Sequence, residues 1–504
     1  MPKWTKEKLD LLFRDIRKRY PLLPVLAIPW LYVTIGRDTV EAEMDQVNPF
    51  RAGIVLLARI PWLALRAILL AFQVGWLRLI LYPLLRKLKR RSFDALAKSW
   101  VFPKALSNGE RDFYLGDLTA QLGKRNIKLL TFYGEGSSKG WFRLVWSRRM
   151  NNTQLPELCL LNPWMIFQMV CRQYMAALIL FWKSFSEKDS AFNKLLLLIS
   201  KDCLRYQTLR NGLYYWMGKQ ALAWWPVRFL VTLYEGIAWE KCFWLGIREV
   251  APDCKLVGYQ HTVIVAQAFE LRQPSNSIYA LRPPDIILST GKKAMELLEP
   301  GHAKFDSRFI PFGSFQRSSP DYGEVCPCPG KKTLLVLPEG ILSEMVFLFN
   351  AALDLSTILG DYRIVLRCHP AISFEKVRPH LKQNLENFPN VILSKSLMIE
   401  EDFNRASIVL YRGTASVLYA ILKGLKPFYL INNPLEENID PLFELKKWRE
   451  KVDSVEALNQ QIKSHAVCSE AQLKKEWEMA LKYVQEYVKP VEASSFDSLL
   501  ESLS

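Results

Sequence analysis

The chain has 504 residues, half of them apolar and 23% charged, which is enough for two or three domains and too apolar for a disordered polypeptide. Its net charge is +17, and the first hundred residues hold 18 basic against 8 acidic side chains, so the basic excess is concentrated at the N-terminal end. A mean hydropathy of +0.01 is high for a soluble protein, and some apolar surface is expected to meet lipid.

Met1 to Tyr20 is a charged amphipathic segment, and the uncharged run that follows, Pro21 to Gly36, is broken by Pro24 and Pro29. Neither has the form of a cleaved secretory signal. From Pro49 to Leu85 the chain is very apolar, but Arg51, Arg59, Arg66 and Arg78 interrupt it, and its longest uncharged run, Ala67 to Leu77, has 11 residues. A span needs about 18 to 20. Arg59, Arg66 and Gln73 recur every seventh residue and form a narrow polar stripe on an apolar helix, the pattern of a helix lying in a membrane interface. The basic run Arg86, Lys87, Lys89, Arg90 and Arg91 would then meet an anionic leaflet. The alternatives are a helix packed inside the protein with its arginines paired or snorkelling, and a true span. Residues 1–95 are therefore expected to form an amphipathic basic segment, peripheral at the cytoplasmic face of the inner membrane.

Downstream, strands are expected at Ile127 to Phe132, Lys255 to Tyr259, Asp285 to Leu288 and Phe309 to Phe312, with a mostly helical stretch from Leu155 to Trp244. Ser318 to Lys332, punctuated by prolines and glycines, reads as a linker. Beyond it strand and helix alternate: strands at Thr333 to Leu337, Tyr362 to Arg367, Asn390 to Leu393, Ile408 to Tyr411 and Pro427 to Ile431, and helices at Ser343 to Leu359, Glu400 to Arg405 and from Gly413 to about Gly424. That rhythm implies a parallel sheet covered on both faces. The expected division is 1–95, 96–317 and 318–504, two Rossmann-like domains facing a cleft behind the basic segment.

Nine cysteines with no C-x-x-C pair fit a reducing compartment; Cys326 and Cys328 read as linker thiols, and no metal is assigned. Gly134 to Gly140 lacks the spacing of a phosphate loop. No reader motif for nucleic acid accompanies the basic charge.

Three motifs fall at strand ends of the second sheet, where such sheets bind ligands. Glu339-Gly340 follows the first strand, His369-Pro370 the second, and Gly413-Thr414-Ala415-Ser416 opens the helix after the fourth. Hydroxyls at a helix start can cradle an anion, and a histidine titrates near neutrality. Arg367 and Arg412 would add positive charge. In the first half, Glu235-Gly236 and Glu240 lie on an apparent helix, and Gln260-His261 ends a strand.

The half of the chain running from Glu339 through Asp402-Phe403, Arg412-Gly413-Thr414-Ala415-Ser416 and Gly424-Leu425-Lys426-Pro427 resembles the donor domain of GT-B glycosyltransferases. Within that fold it is most similar to bacterial sialyltransferases and polysialyltransferases and to related enzymes of surface-carbohydrate biosynthesis, which carry an acid-acid-Gly motif, a His-Pro motif and a Ser/Thr pair. The resemblance implies that His369 contacts or protonates the nucleotide phosphate, that Thr414 and Ser416 hold the donor together with Gly340, Pro370 and Gly413, and that Glu339 is the base. Pro338 stands where the first acid of the motif would be, which leaves Glu235 and Glu240 as alternative bases. Gln260-His261 looks like the acceptor-side signature of such transferases. The implied reaction moves a CMP-activated sialic or other ulosonic acid to a surface polysaccharide or lipid-linked acceptor, with inversion and without a metal or cofactor. A CDP-glycerol-type polyol-phosphate transferase and a non-catalytic glycan- or lipid-binding assembly factor are the alternatives.

Overall fold

The computed structural model describes residues 47–101, 112–135, 153–266, 268–272, 282–316, 327, 330–370, 372–432 and 439–503. Met1 to Gly36, the loop from Gly136 to Gly140, most of the 318–332 linker, and Cys326 and Cys328 lie outside the described residues.

Two parallel sheets form the frame. The first has β1 (Ala95–Val101), β2 (Leu129–Glu135), β3 (Gln154–Pro156), β4 (Phe229–Leu233), β5 (Lys255–Tyr259), β6 (Ile286–Ser289) and β7 (Arg308–Pro311) in the order β3-β2-β1-β4-β5-β6-β7. The second has β8 (Thr333–Leu337), β9 (Arg363–Leu366), β10 (Val391–Leu393), β11 (Ile408–Tyr411), β12 (Lys426–Leu430) and β13 (Glu450–Val452) in the order β10-β9-β8-β11-β12-β13. In both, the order reverses around the first strand, the mark of a doubly wound Rossmann-like sheet. These are the two parallel-sheet domains expected from the sequence, with four strands added to that reading: β1, β3, β4 and β13.

Strand β4 sits in the middle of the stretch expected to be mostly helical. Its five residues are buried throughout, and a short apolar run covered on both faces has no periodicity to distinguish it from a buried helix. Strand β1 carries Lys98, buried at 1% exposure. Its ammonium is 2.9 Å from Glu157 and 3.7 Å from the centre of the Trp100 ring. Burial lowers its pKa, against the pull of Glu157.

The helix Pro49–Ile80 is capped by Asn48, which accepts from the Phe50 amide. One face, including Leu63, Leu70 and Val74, is buried in the core that also holds strand residues Leu96, Leu130 and Leu230. The arginines flank this inner face and are engaged by the protein. Arg59 donates to the Lys201 carbonyl at 2.6 Å and lies 3.7 Å from Asp202, Arg66 stacks on Trp62 and Tyr206, and Arg78 donates to the Leu161 carbonyl at 2.7 Å. The arginine placement is thus that of the internally packed alternative, while the opposite face is apolar and exposed. This helix and Pro163–Ser186 are both long and apolar enough to cross a membrane.

The chain beyond Lys489, counted with the second domain in the division made from sequence, returns to the first. Phe496 and Leu499 of the helix Ala493–Glu501 complete the core under β4 to β7, Ser495 donates to the Phe312 carbonyl at 2.7 Å, and Ser314 bridges to Pro490.

Candidate active site

Strand β8 lies between β9 and β11, so the motifs after these three strands emerge side by side at the carboxyl edge of the second sheet. Two glycines set the spacing. A Cβ on Gly340 would lie 2.8 Å from Cε1 of His369, so the imidazole rests against the glycine backbone. Gly413 has φ +60°, and a Cβ there would strike the Glu339 carboxylate. Glu339, Gly340, His369 and Gly413 therefore form one packed cluster at the point where the strand order reverses, the usual ligand crevice of such sheets.

The electrostatics of the cluster favour a neutral resting state. Burial, and after it the charge of Glu344, push the Glu339 carboxyl up to about 7, against the opposing pull of Arg412. Burial lowers the pKa of His369, so the imidazole is neutral at pH 7 and meets an anion as an N–H donor; an incoming phosphate would raise its affinity for a second proton. An acid with a midpoint near neutrality is suited to taking a proton in a transition state.

The two arginines are not directed at the crevice. Arg412 is fully buried, with Nε 2.5 Å from Glu344 and a bond to the Leu430 carbonyl at 2.6 Å, and it ties the helix Leu342–Ser356 to the end of β12. Arg367 is paired with Asp402 at 2.5 Å and donates to the Ser396 carbonyl at 3.1 Å; Ser394 completes the Asp402 contacts at 2.6 Å. Glu344, not singled out from the sequence, is the residue that both neutralises Arg412 and raises Glu339. Its position in the first turn of the helix after Gly340 was the available signal.

Thr414 is buried, and its hydroxyl accepts from the Ser416 amide at 3.3 Å. The helix that follows, Ser416–Leu422, has seven residues and Ala415 at its N-cap, shorter than the stretch expected from 413 to 424, with Gly413 and Thr414 in the turn before it. Ser416 is half-buried at its start, and Pro370 is exposed.

A second cluster stands at the carboxyl edge of the first sheet. Glu235, after β4, lies 3.0 Å from Nε2 of His261, after β5, and the Tyr114 ring packs edge-on against that imidazole at 4.5 Å. Burial and the charges of Glu235 and Asp112 push the Tyr114 hydroxyl up to about 12. Nδ1 of His261 is buried with no hydrogen-bond partner among the described residues. Glu240 does something different: its carboxylate is fully buried and accepts from the amides of Glu235, Gly236 and Ile237 at 3.0 to 3.3 Å, capping the helix Ala238–Val250. Gln260 is also fully buried, accepting from the Thr290 amide at 3.2 Å and so pinning the turn after β6. Of the four acceptor-side residues, Glu235 and His261 meet each other, whereas Glu240 and Gln260 hold backbone.

Chain segments next to each cluster take part in the packing between the domains. Beyond His261 the chain packs on the second domain: the Ile264 amide donates to the Tyr487 hydroxyl at 2.7 Å and Arg272 covers the Phe443 ring, while Ile439 of the same segment lies beside Gly413. Among the described residues no group of three or more His, Cys, Asp or Glu is placed to hold a metal ion.

No protein-family model and no curated protein matches the sequence. Similar solved structures include the glycotransferase of kitacinnamycin, 11% identical with a TM-score of 0.46 over 82% of this chain and 100% of that one. An alpha,alpha-trehalose 6-phosphate synthase from Burkholderia multivorans is 11% identical with a TM-score of 0.46 over 82% and 98%. A UDP-GlcNAc 2-epimerase from Methanocaldococcus jannaschii is 11% identical with a TM-score of 0.42 over 81% and 99%. At TM-scores below 0.5 these likenesses assign neither a family nor a chemistry to this chain.

Proposed function

We propose that the chain is a GT-B-type glycosyltransferase that moves a sugar from a nucleotide donor, CMP-activated and of the sialic or ulosonic type, to a surface polysaccharide or lipid-linked acceptor. The observation that carries the reading is the cluster of Glu339, Gly340, His369 and Gly413 at the reversal point of the second sheet, with the Glu339 carboxyl raised to about 7.

In this reading the acceptor hydroxyl attacks the anomeric carbon as its proton passes to Glu339. The bond from that carbon to the nucleotide phosphate breaks on the opposite side, giving inversion, and the departing phosphate takes hydrogen bonds from His369 and from the hydroxyls of Thr414 and Ser416. The charge forming on the phosphate is the largest change along the reaction, and donors already fixed in place stabilise it without reorganising. No metal or cofactor enters this scheme. Glu235, paired with His261 across the crevice, orients the acceptor and is the alternative base.

The test is a panel of CMP-, CDP- and UDP-activated donors, with the released nucleotide identified by chromatography and the product by mass. CMP release with a sialic-type sugar on the acceptor supports the reading. CMP release from CDP-glycerol alone would move the assignment to polyol-phosphate transfer. No release from any donor would leave a binding protein.

A further inference from the structure

The helix Pro163–Ser186 is an internal element of the first domain, inserted between β3 and β4, yet its outer face matches that of Pro49–Ile80. The two run antiparallel and side by side. The Tyr174 hydroxyl donates to the Ile60 carbonyl at 2.7 Å, the Phe181 ring lies against Gly53, and Arg78 reaches the Leu161 carbonyl. On the first helix Leu57, Leu65, Ile68, Phe72, Trp76 and Leu79 are 50 to 72% exposed or slightly more, Phe72 reaching 73%. On the second, Trp164, Phe167, Met175, Leu178, Trp182 and Phe185 are 43 to 69% exposed. Each set follows the three- and four-residue spacing of one helix face. Two adjacent stripes of this kind far exceed the scattered apolar residues of an ordinary surface.

We propose that these two helices form one membrane-binding face that lies in the interface of an anionic bilayer. Charge identifies the occupant. From Gln46 to Phe93 the sequence contains nine Lys and Arg and no Asp or Glu, and Pro163–Ser186 has Arg172 and Lys183 with no acid. Arg59, Arg66 and Arg78 are held by the protein, but Arg51, Arg172, Lys183 and the basic run from Arg86 to Arg91 are exposed; a second copy of the chain would bring two such cationic surfaces together, which is repulsive, whereas anionic headgroups complement them. The inner faces fix the mode of contact. Leu63, Val74, Met169 and Leu180 are buried in the core of the sheet domain, and the second helix is flanked by strands of one sheet, so the pair lies along the bilayer rather than crossing it.

The inference rests on the reading above only in that a lipid-linked or surface-glycan acceptor calls for a membrane; vesicle binding is measured without donor or acceptor, so the two fail separately. Cys171 is an exposed thiol on the outer face, between Phe167 and Met175. In the full chain with Cys326, Cys328, Cys368 and Cys468 replaced by Ser, a polarity-sensitive dye on Cys171 should shift to the blue with phosphatidylglycerol vesicles and be quenched by nitroxides on the acyl chains. Phosphatidylcholine vesicles should give a much smaller change. In the unlabelled protein, Trp182→Ser with Phe185→Ser should weaken cosedimentation with the same vesicles about tenfold or more, since two large exposed side chains leave the interface. No spectral change with anionic vesicles, or unchanged cosedimentation of the double variant, would overturn the proposal. So would a blue-shifted dye in the absence of lipid, which would show that a second copy or another part of the chain already covers the face.

Discussion

Replacing Glu339 by Gln tests the site before any substrate is known. The carboxyl is raised from its ordinary 4.5 to about 7, so the folded protein holds a proton that the unfolded chain releases between those two values. Stability therefore falls as pH rises from 4.5 to 7, and above 7 the cost is complete. A gap of about 2.5 in pKa corresponds to about 3 kcal/mol. Gln has the size of the acid without its charge, and the gap already includes the pull of Arg412, so Glu339→Gln should be more stable than wild type by about 1 to 3 kcal/mol at pH 8, the lower figure allowing for an amide that fits the site less well than the neutral acid. The difference should vanish below pH 4.5, read as paired urea midpoints across pH. Once the donor is identified, the wild-type rate should follow the ionised fraction, about a tenth at pH 6 and nine-tenths at pH 8, and the variant should transfer slowly at both. A stability difference that does not change with pH, or a variant with wild-type rate, would refute the argument.

Further outcomes follow from the same geometry. His369→Ala should lower turnover by about 10²- to 10⁴-fold with little change in thermal stability, because the imidazole rests on Gly340 at the edge of the core; near-normal turnover would remove it from the mechanism. Gly413→Ala places a methyl where the Glu339 carboxylate lies and forces a left-handed φ on alanine, at about 1 kcal/mol or more. It should therefore lose stability and rate together, while a variant kinetically equal to wild type would show that the carboxylate can sit elsewhere. Glu240→Ala leaves three helix-start amides without their acceptor and should destabilise by about 2 kcal/mol or more in a denaturant titration, whereas Glu235→Gln should keep the fold and act on rate. Deleting residues 1–95 should give insoluble protein rather than a released soluble one, since Leu63, Leu70, Val74 and Leu88 fill the domain core; a soluble, folded truncation would contradict that packing.

The second sheet was legible because its strands are short apolar runs bracketed by Gly and Pro, and its turns carry the motifs. The first sheet was less so. Lys98 in the middle of β1 reads as a solvated residue until its partner is known, and that partner, Glu157, follows two strands later. The run of β4 looks like more of the apolar helix before it. The same blindness to distant partners applies to the arginines: Arg367 and Arg412 looked available for a donor, but Asp402 and Glu344, 35 and 68 residues away, hold them. What sequence order did convey was the edge. Motifs at consecutive strand ends of a parallel sheet must emerge on one side, which brings Glu339, His369 and Gly413 together. It also brings Glu235 to His261.

The return of the last helix to the first sheet has a consequence for biosynthesis. Phe496 and Leu499 belong to the core beneath strands laid down from residue 229 to 311, so that core stays open until residue 499 has left the ribosome. The helices Pro49–Ile80 and Pro163–Ser186 emerge more than 300 residues earlier. At about 5 to 20 residues per second the interval is roughly 15 to 60 s, during which both apolar stripes are exposed on a nascent chain whose sheet domain is unfinished. A chaperone, or the membrane surface proposed above, thus meets these helices before the fold is complete, and the proposed attachment can precede folding.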